Sequence, residues 1–230
     1  MNWASEHRSV FLPLSDITLI VFDLDGTLTN SLRDISDAVN YTLKQLHFDP
    51  LSRETIRGYI GDGIPTLMRL CLQERAAVTP ELLEKAVGIY RPYYDAHCLD
   101  HVSLYPHALE ILDYFNSIKK AVVSNKMEAF TKKILAGLHI LDYFDCVIGG
   151  DTLPEKKPSA VPIRHILQRL HVPSTQAIMI GDSAQDVQSG KAAGVRTCGV
   201  TYGFRDRADI ADADFIIEDL IELKTIIRKP

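Results

Sequence analysis

Six short runs of aliphatic and β-branched residues recur along the chain, at 17–24, 120–124, 146–149, 177–181, 196–200 and 214–217, each followed by turn-forming residues. Runs that stay apolar at successive positions belong to strands buried on both faces, because a strand with one wet face alternates instead. Between most of them lie segments of helical length, at 107–117, 128–138, 161–170 and 186–193, with apolar residues at mixed spacings of three and four. Strand and helix in alternation predict an α/β fold built on a parallel sheet.

The rhythm breaks once. Roughly 95 residues separate the first run from the second, far more than an ordinary crossover connection uses. The stretch 32–99 holds no convincing strand but four helical patches, at 34–46, 53–60, 64–73 and 80–97. An all-helical domain, 31–100, is therefore expected, inserted into a discontinuous core of 1–30 and 101–230 on linkers near 29–33 and 99–104. Pro92 is expected to kink or end the last helix, since its ring clashes with the carbonyl four residues earlier.

Composition narrows the class of partner. With 46% hydrophobic residues in 230, the chain can bury a sizeable core, and disorder as its main state is excluded. Twenty-five Lys and Arg stand against 30 Asp and Glu, a formal charge of −5, which leaves no basic footprint for nucleic acid. The longest apolar runs fall far short of the roughly 20 residues that cross a bilayer. The first fourteen residues lack a basic start followed by an apolar stretch and a small-residue cleavage site, so a cytoplasmic location is expected. Cys71, Cys98, Cys146 and Cys198 form no paired spacing, which suggests neither a disulfide framework nor structural zinc. The expected partner is a small metabolite, bound by a monomer or homodimer, with no membrane.

The chemistry gathers at strand ends. The first strand runs into Asp23-Leu24-Asp25-Gly26-Thr27-Leu28, and alternation puts Asp23 and Asp25 on one side while Phe22 and Leu24 point away. In open parallel sheets ligands bind at that edge, and a buried strand would not otherwise tolerate two carboxylates. The second strand ends in Ser124-Asn125-Lys126, whose hydroxyl, amide and following N–H groups could grip phosphate oxygens at a helix start; a plain N-cap is the alternative. Lys157 stands before Pro158, a proline placed to open a helix. The fourth strand runs into Gly181-Asp182-Ser183-Ala184-Gln185-Asp186, where Asp182 could instead be a helix cap. Taken together these stretches meet at one edge as a charge-balanced site. Oxygen ligands from Asp23, Asp182 and a backbone carbonyl suit Mg²⁺ bridging to a phosphate.

These four stretches, in this order, resemble the haloacid dehalogenase superfamily, with its Asp-x-Asp strand end, Ser/Thr strand end, Lys and late acidic motif. The resemblance covers the chain after about residue 17 and implies a Rossmann-like core with a helical cap of the family's first type. Through Asp-Gly-Thr-Leu, Ser-Asn-Lys, Gly149-Gly150-Asp151 and Lys157-Pro158 it is most similar to the phosphoglycolate phosphatase branch, although the second proline, Pro162, comes later than in the commoner Lys-Pro-x-Pro form. It implies a Mg²⁺-dependent phosphatase in which Asp23 is the nucleophile that becomes an aspartyl-phosphate and Asp25 the general acid and base. Ser124 and Lys157 would hold the phosphoryl oxygens, and Asp182 would ligate the metal with Asp23 and the carbonyl of Asp25. Asp186 would orient Lys157 or a metal-bound water. Thr27 and Asn125 are further candidates for substrate contact.

Substrate choice is expected from the cap, with Gly61, Asp62 and Gly63 as its contact with the leaving group; an interhelical turn is the alternative. His97 and His101 have a zinc-like spacing but sit at a linker, and Tyr90, Tyr93 and Tyr94 are expected to pack the cap or line the site. Alternatives on the same core are a phosphomutase, or a phosphonate hydrolase, which would need Lys44 or Lys85 as a Schiff base. Outside enzymes, a phosphoacceptor module also uses acidic strand ends, a lysine and Mg²⁺, but lacks the long insertion.

Overall fold

A computed structural model describes residues 13–229; the expectation about the first fourteen residues falls mostly on 1–12, outside the described residues. In chain order the strands are β1 (Leu19–Phe22), a short pair β2 (Thr29–Asn30) and β3 (Ser103–Leu104), then β4 (Lys119–Val123), β5 (Cys146–Ile148), β6 (Ala177–Gly181), β7 (Arg196–Val200) and β8 (Phe215–Ile217). Six of them form one sheet in the order β5-β4-β1-β6-β7-β8, every neighbouring pair parallel. This is the doubly wound Rossmann-like order, which reverses at β1, and ligands bind beyond the carboxyl ends of the strands at such a reversal.

The two-faced burial predicted for the strands is seen residue by residue. Leu19 and Val21 enter one apolar cluster with Ala121, Val123 and Met179, while Ile20 and Phe22 enter another with Val122, Ile178 and Ile180. Charge in such strands is kept to their ends, and β1 leaves the sheet at Asp23, whose N–H still donates to the Ile180 carbonyl at 2.9 Å.

Between β2 and β3 the chain forms the helical cap: α1 (Leu32–Gln45), α2 (Arg53–Arg57), α3 (Ile64–Gln73) and α4 (Pro80–His97). The helix α1 buries Ile35, Ala38, Val39 and Leu43, and α4 buries Ala86, Tyr90 and Tyr94, one residue per turn. The connections into and out of the cap pair with each other as the antiparallel β2–β3 ladder. Asp34, in the first turn of α1, accepts from the backbone N–H groups of His101 and Val102 at 3.1 and 2.9 Å, tying the two connections a second time. The core adds α5 (Ala108–Tyr114), α6 (Glu128–Gly137), α7 (Val161–Leu170), α8 (Ala184–Ala193) and α9 (Leu223–Ile226). Among the described residues no helix is long and apolar enough to cross a membrane, and all four cysteines are free and buried.

One expectation about prolines is corrected, and of the two offered for Pro92 the helix end is excluded. The helix α4 runs through Pro92 to His97 without ending. Pro92 is exposed, and the carbonyl its ring displaces belongs to Gly88, also on the exposed face, so the group left without its helical bond stays open to solvent. Nor does Pro158 open α7; it sits in the preceding turn, and Pro162 stands in the first turn of the helix. Helix 53–60 is also shorter than expected and ends at Arg57, where Gly58 begins the turn into the cap loop.

Candidate active site

The loops that leave β1, β4, β5, β6 and β7 at their carboxyl ends surround a cavity of about 60 Å³, lined in part by Asp23, Asp25, Ser124, Lys157 and Asp182. At its floor Lys157 Nζ lies 2.7 Å from Asp23 Oδ1 and 2.6 Å from Asp186 Oδ1, with all three side chains almost wholly buried. The other Asp186 oxygen accepts from the Ser183 N–H at 3.0 Å and the Ser183 hydroxyl at 2.6 Å, a capping box that starts α8. With both oxygens engaged, Asp186 fixes the lysine. Asp182 is not a helix cap: Ser183 is, and Asp182 Oδ2 accepts from the Phe204 N–H at 2.6 Å.

Asp23, Asp182 and Asp186 each bring a carboxylate oxygen within 4.8 Å of the others, and one ammonium, that of Lys157, pairs with two of them. Burial, opposed by Lys157 and reinforced by Asp186 and Asp25, raises the Asp23 carboxyl to about 7. Burial and the neighbouring charges of Asp23 and Asp186 push Asp182 well above the ordinary carboxylate range. For Lys157 burial acts downward, but the charges of Asp186 and Asp23 outweigh it and hold the ammonium above its usual range. The cluster is therefore short of positive charge. Asp23 Oδ2 and Asp182 Oδ1 receive no donor from any described residue, and two such hard oxygens in one acidic cluster fit a small divalent cation.

Asp25 stands across the cavity from this cluster's lysine in a different setting. Its Oδ1 accepts from the Ser31 hydroxyl at 2.5 Å, and its Oδ2 lies 3.0 Å from Lys126 Nζ. Gly26, at φ +87°, turns the chain under it; a Cβ there would stand 2.3 Å from Asp182 Oδ2. That approach is what lets the acidic loops after β1 and β6 meet.

Ser124 is not a helix cap, because α6 starts at Glu128 with Met127 before it. Its hydroxyl oxygen accepts from the Lys126 N–H at 3.2 Å and its own proton remains available to an anion. Asn125 differs from expectation. Its side-chain N–H groups donate to the carbonyls of Gly61 and Lys157 at 2.9 and 3.0 Å, so the amide joins cap loop and lysine loop and is not free for phosphate oxygens. Thr27 is also corrected: it is fully buried and does not line the cavity, because the turn folds its N–H back onto the Leu24 carbonyl.

The cap loop reaches the cavity through Gly61 and Gly63, while Asp62 turns to the core. Its carboxylate accepts from Gln185 at 3.3 and 3.4 Å, and its carbonyl accepts from Lys156 at 2.6 Å. Arg205, beyond β7, donates to the carbonyls of Gly58 and Ile60. His97 Nδ1 pairs with Asp100 at 2.8 Å and the helix ends there, so His97 and His101 do not share a face. Lys44 and Lys85 are exposed and do not line the cavity. Side chains to which sequence reasoning gave no role are Ser31, Lys126, Gln185 and Arg205, whereas Tyr90 and Tyr94 line the cavity, one of the two places expected for them. The four-residue spacing of Tyr90 and Tyr94 signals burial but not what they face.

A model of the haloacid dehalogenase-like hydrolases matches residues 20–200. The chain is 34% identical over 219 residues to a phosphoglycolate phosphatase of Chromobacterium violaceum, covering 94% of this chain and 98% of that protein. To the phosphoglycolate phosphatase of Neisseria meningitidis it is 37% identical over 233 residues, covering 97% and 95%. The crystal structure of a predicted phosphoglycolate phosphatase from Haemophilus somnus superposes with a TM-score of 0.87 at 29% identity, covering 93% of this chain and 99% of that one.

Proposed function

The chain belongs to the haloacid dehalogenase-like hydrolases and is a phosphoric monoester hydrolase, and from that premise we propose that it hydrolyses a small phosphorylated acid, 2-phosphoglycolate first among them, through an aspartyl-phosphate at Asp23. The observation that carries this reading is the pairing of Lys157 with Asp23 Oδ1 while Oδ2 is left without a donor, aimed at one cavity with Asp25. In this reading an Asp23 carboxylate oxygen attacks phosphorus, the ester bond breaks, and Asp25 gives its proton to the leaving alkoxide. Asp25 then takes a proton from the water that opens the acyl phosphate. Lys157 and the Ser124 hydroxyl hold the transferring oxygens in a preorganised, buried setting. Mg²⁺, held by Asp23, Asp182 and the Asp25 carbonyl, would supply the positive charge that the cluster lacks. The division into core 1–30 and 101–230 and cap 31–100 belongs to the same proposal, and the β2–β3 ladder supports a hinge at that place. Phosphate release from a panel of monoesters, with and without Mg²⁺, tests it; no release from any ester would refute it.

Two expected outcomes follow from the cation deficit. Between the ordinary carboxylate value of 3.8 and the raised value of about 7, folded Asp23 keeps a proton that the unfolded chain has lost. Stability of the metal-free protein therefore falls as pH rises through that window, and Mg²⁺ affinity rises across it. Thermal unfolding should show a midpoint several degrees lower near pH 8 than near pH 5, recovered by millimolar Mg²⁺ at the higher pH only. Gly26→Ala should displace Asp182 and weaken Mg²⁺ binding by about 10- to 100-fold in calorimetry, with a loss of stability of about 1–3 kcal/mol from the strained φ. Unchanged affinity in that variant would remove Asp182 from the ligand set.

A further inference from the structure

Three cations line the cavity, and two of them have evident work. Lys157 binds the carboxylates of Asp23 and Asp186, and Arg205 holds the carbonyls of the cap loop. The third, Lys126, is buried between core and cap. Its Nζ lies 3.0 Å from Asp25 Oδ2 and 2.7 Å from the Tyr94 hydroxyl, and 4.6 Å above the centre of the Tyr94 ring. An ammonium has three N–H donors; two are engaged, and no described residue accepts the third.

Its place relative to the ester is set by Asp25. A group that protonates the leaving oxygen must touch it, and Lys126 touches the same carboxylate from the side where α4 closes the cavity. An anionic group one carbon removed from the ester oxygen would then fall within reach of the ammonium. The cap adds Ile35, Ile64, Leu67 and Tyr90 to this wall. Such a wall, around about 60 Å³, has few partners for the hydroxyls of a sugar, whereas one buried cation is suited to one small anion.

Resting on the phosphatase reading above, we propose that Lys126, steadied by Tyr94 of the cap, is the receptor for a carboxylate on the leaving group. It is thereby the residue that makes the enzyme prefer phosphorylated short acids to sugar phosphates and neutral esters. The cation comes from the core and its aromatic partner from the cap, so this receptor is complete only with the cap closed.

The test compares kcat/KM for 2-phosphoglycolate with that for 2-hydroxyethyl phosphate, which carries a neutral hydroxymethyl group on the same skeleton. Wild type, Lys126→Met and Lys126→Arg are assayed with saturating Mg²⁺. Wild type should prefer the acid by on the order of 100-fold, the scale of a charge-assisted hydrogen bond. Lys126→Met should lose that preference, chiefly through KM for the acid, and Lys126→Arg should keep it to within about tenfold. A wild type without preference overturns the proposal without any variant, and leaves the phosphatase reading standing if both esters are cleaved. Equal loss on both substrates in Lys126→Met also overturns it, because a mere support of Asp25 would act on both. Should the methionine variant fail to fold, the wild-type preference and its retention in Lys126→Arg decide. If wild type cleaves no monoester, the phosphatase reading falls and this inference with it.

Discussion

Asp23→Asn abolishes turnover, with kcat reduced by at least about 10⁴-fold, and the metal-free variant unfolds at a temperature no lower than that of the native chain at pH 8. The first half follows from removing the attacking oxygen while keeping the shape, since loss of a nucleophile leaves only binding and electrostatic help. The second half distinguishes this site from an ordinary ion pair. Asp23 is held at about 7 because burial and the charges of Asp186 and Asp25 work against the help it receives from Lys157. A neutral amide relieves that repulsion, and Lys157 keeps Asp186 at 2.6 Å as its partner. Single-turnover phosphate release and thermal unfolding without metal read the two halves separately. Retained turnover would overturn the assignment of the nucleophile, and a large fall in stability would mean that Asp23 is held chiefly by attraction to the lysine.

Lys157→Met strikes at both properties together. The substitution preserves much of the apolar stem and removes the ammonium from between Asp23 and Asp186, leaving buried carboxylates without their cation. Breaking one side of a buried ionic cluster costs about 3–5 kcal/mol, so the variant should unfold well below wild type at pH 8. The deficit should shrink as pH falls toward 5, because carboxyls that take up protons no longer need the partner. Activity should fall by about 10²- to 10³-fold or more, the scale seen when a preorganised charge facing a transition state is lost. Thermal melts across pH and steady-state phosphate release check both effects. A stability loss independent of pH would point to packing of the lysine stem and not to charge.

Much of the fold is legible along the chain because burial on both faces of a parallel strand demands continuous apolar runs, and an acidic residue can follow such a run only at its exit. That is why Phe22-Asp23 and Gly181-Asp182 announce their place before any coordinates are known. The insertion is legible for a related reason, since its helical patches occupy a gap too long for one crossover. Less legible are side chains whose role depends on which loop lies opposite. Asn125 has the chemistry of a phosphate contact, yet the approach of Gly61 and the lysine loop turns its N–H groups into a brace. Asp62 has the chemistry of a substrate contact, yet Gln185 and Lys156 draw it to the core. Pro92 has the chemistry of a helix breaker, but its consequence depends on exposure, which its neighbours in sequence do not state.

The order of strands and helices, the helical insertion and the polar strand exits at Asp23, Ser124 and Asp182 are properties of the sequence by itself, because they rest on local periodicity and on the cost of burying polar groups. Tertiary structure alone decided that Lys126 reaches Asp25 and Tyr94 and that Arg205 grips the cap loop, and it settled on Lys157 as the partner of Asp186 between the two that the resemblance allowed. Those partners lie far apart along the chain, and a side chain's role in a charged site is set by which groups folding brings within about 3 Å of it.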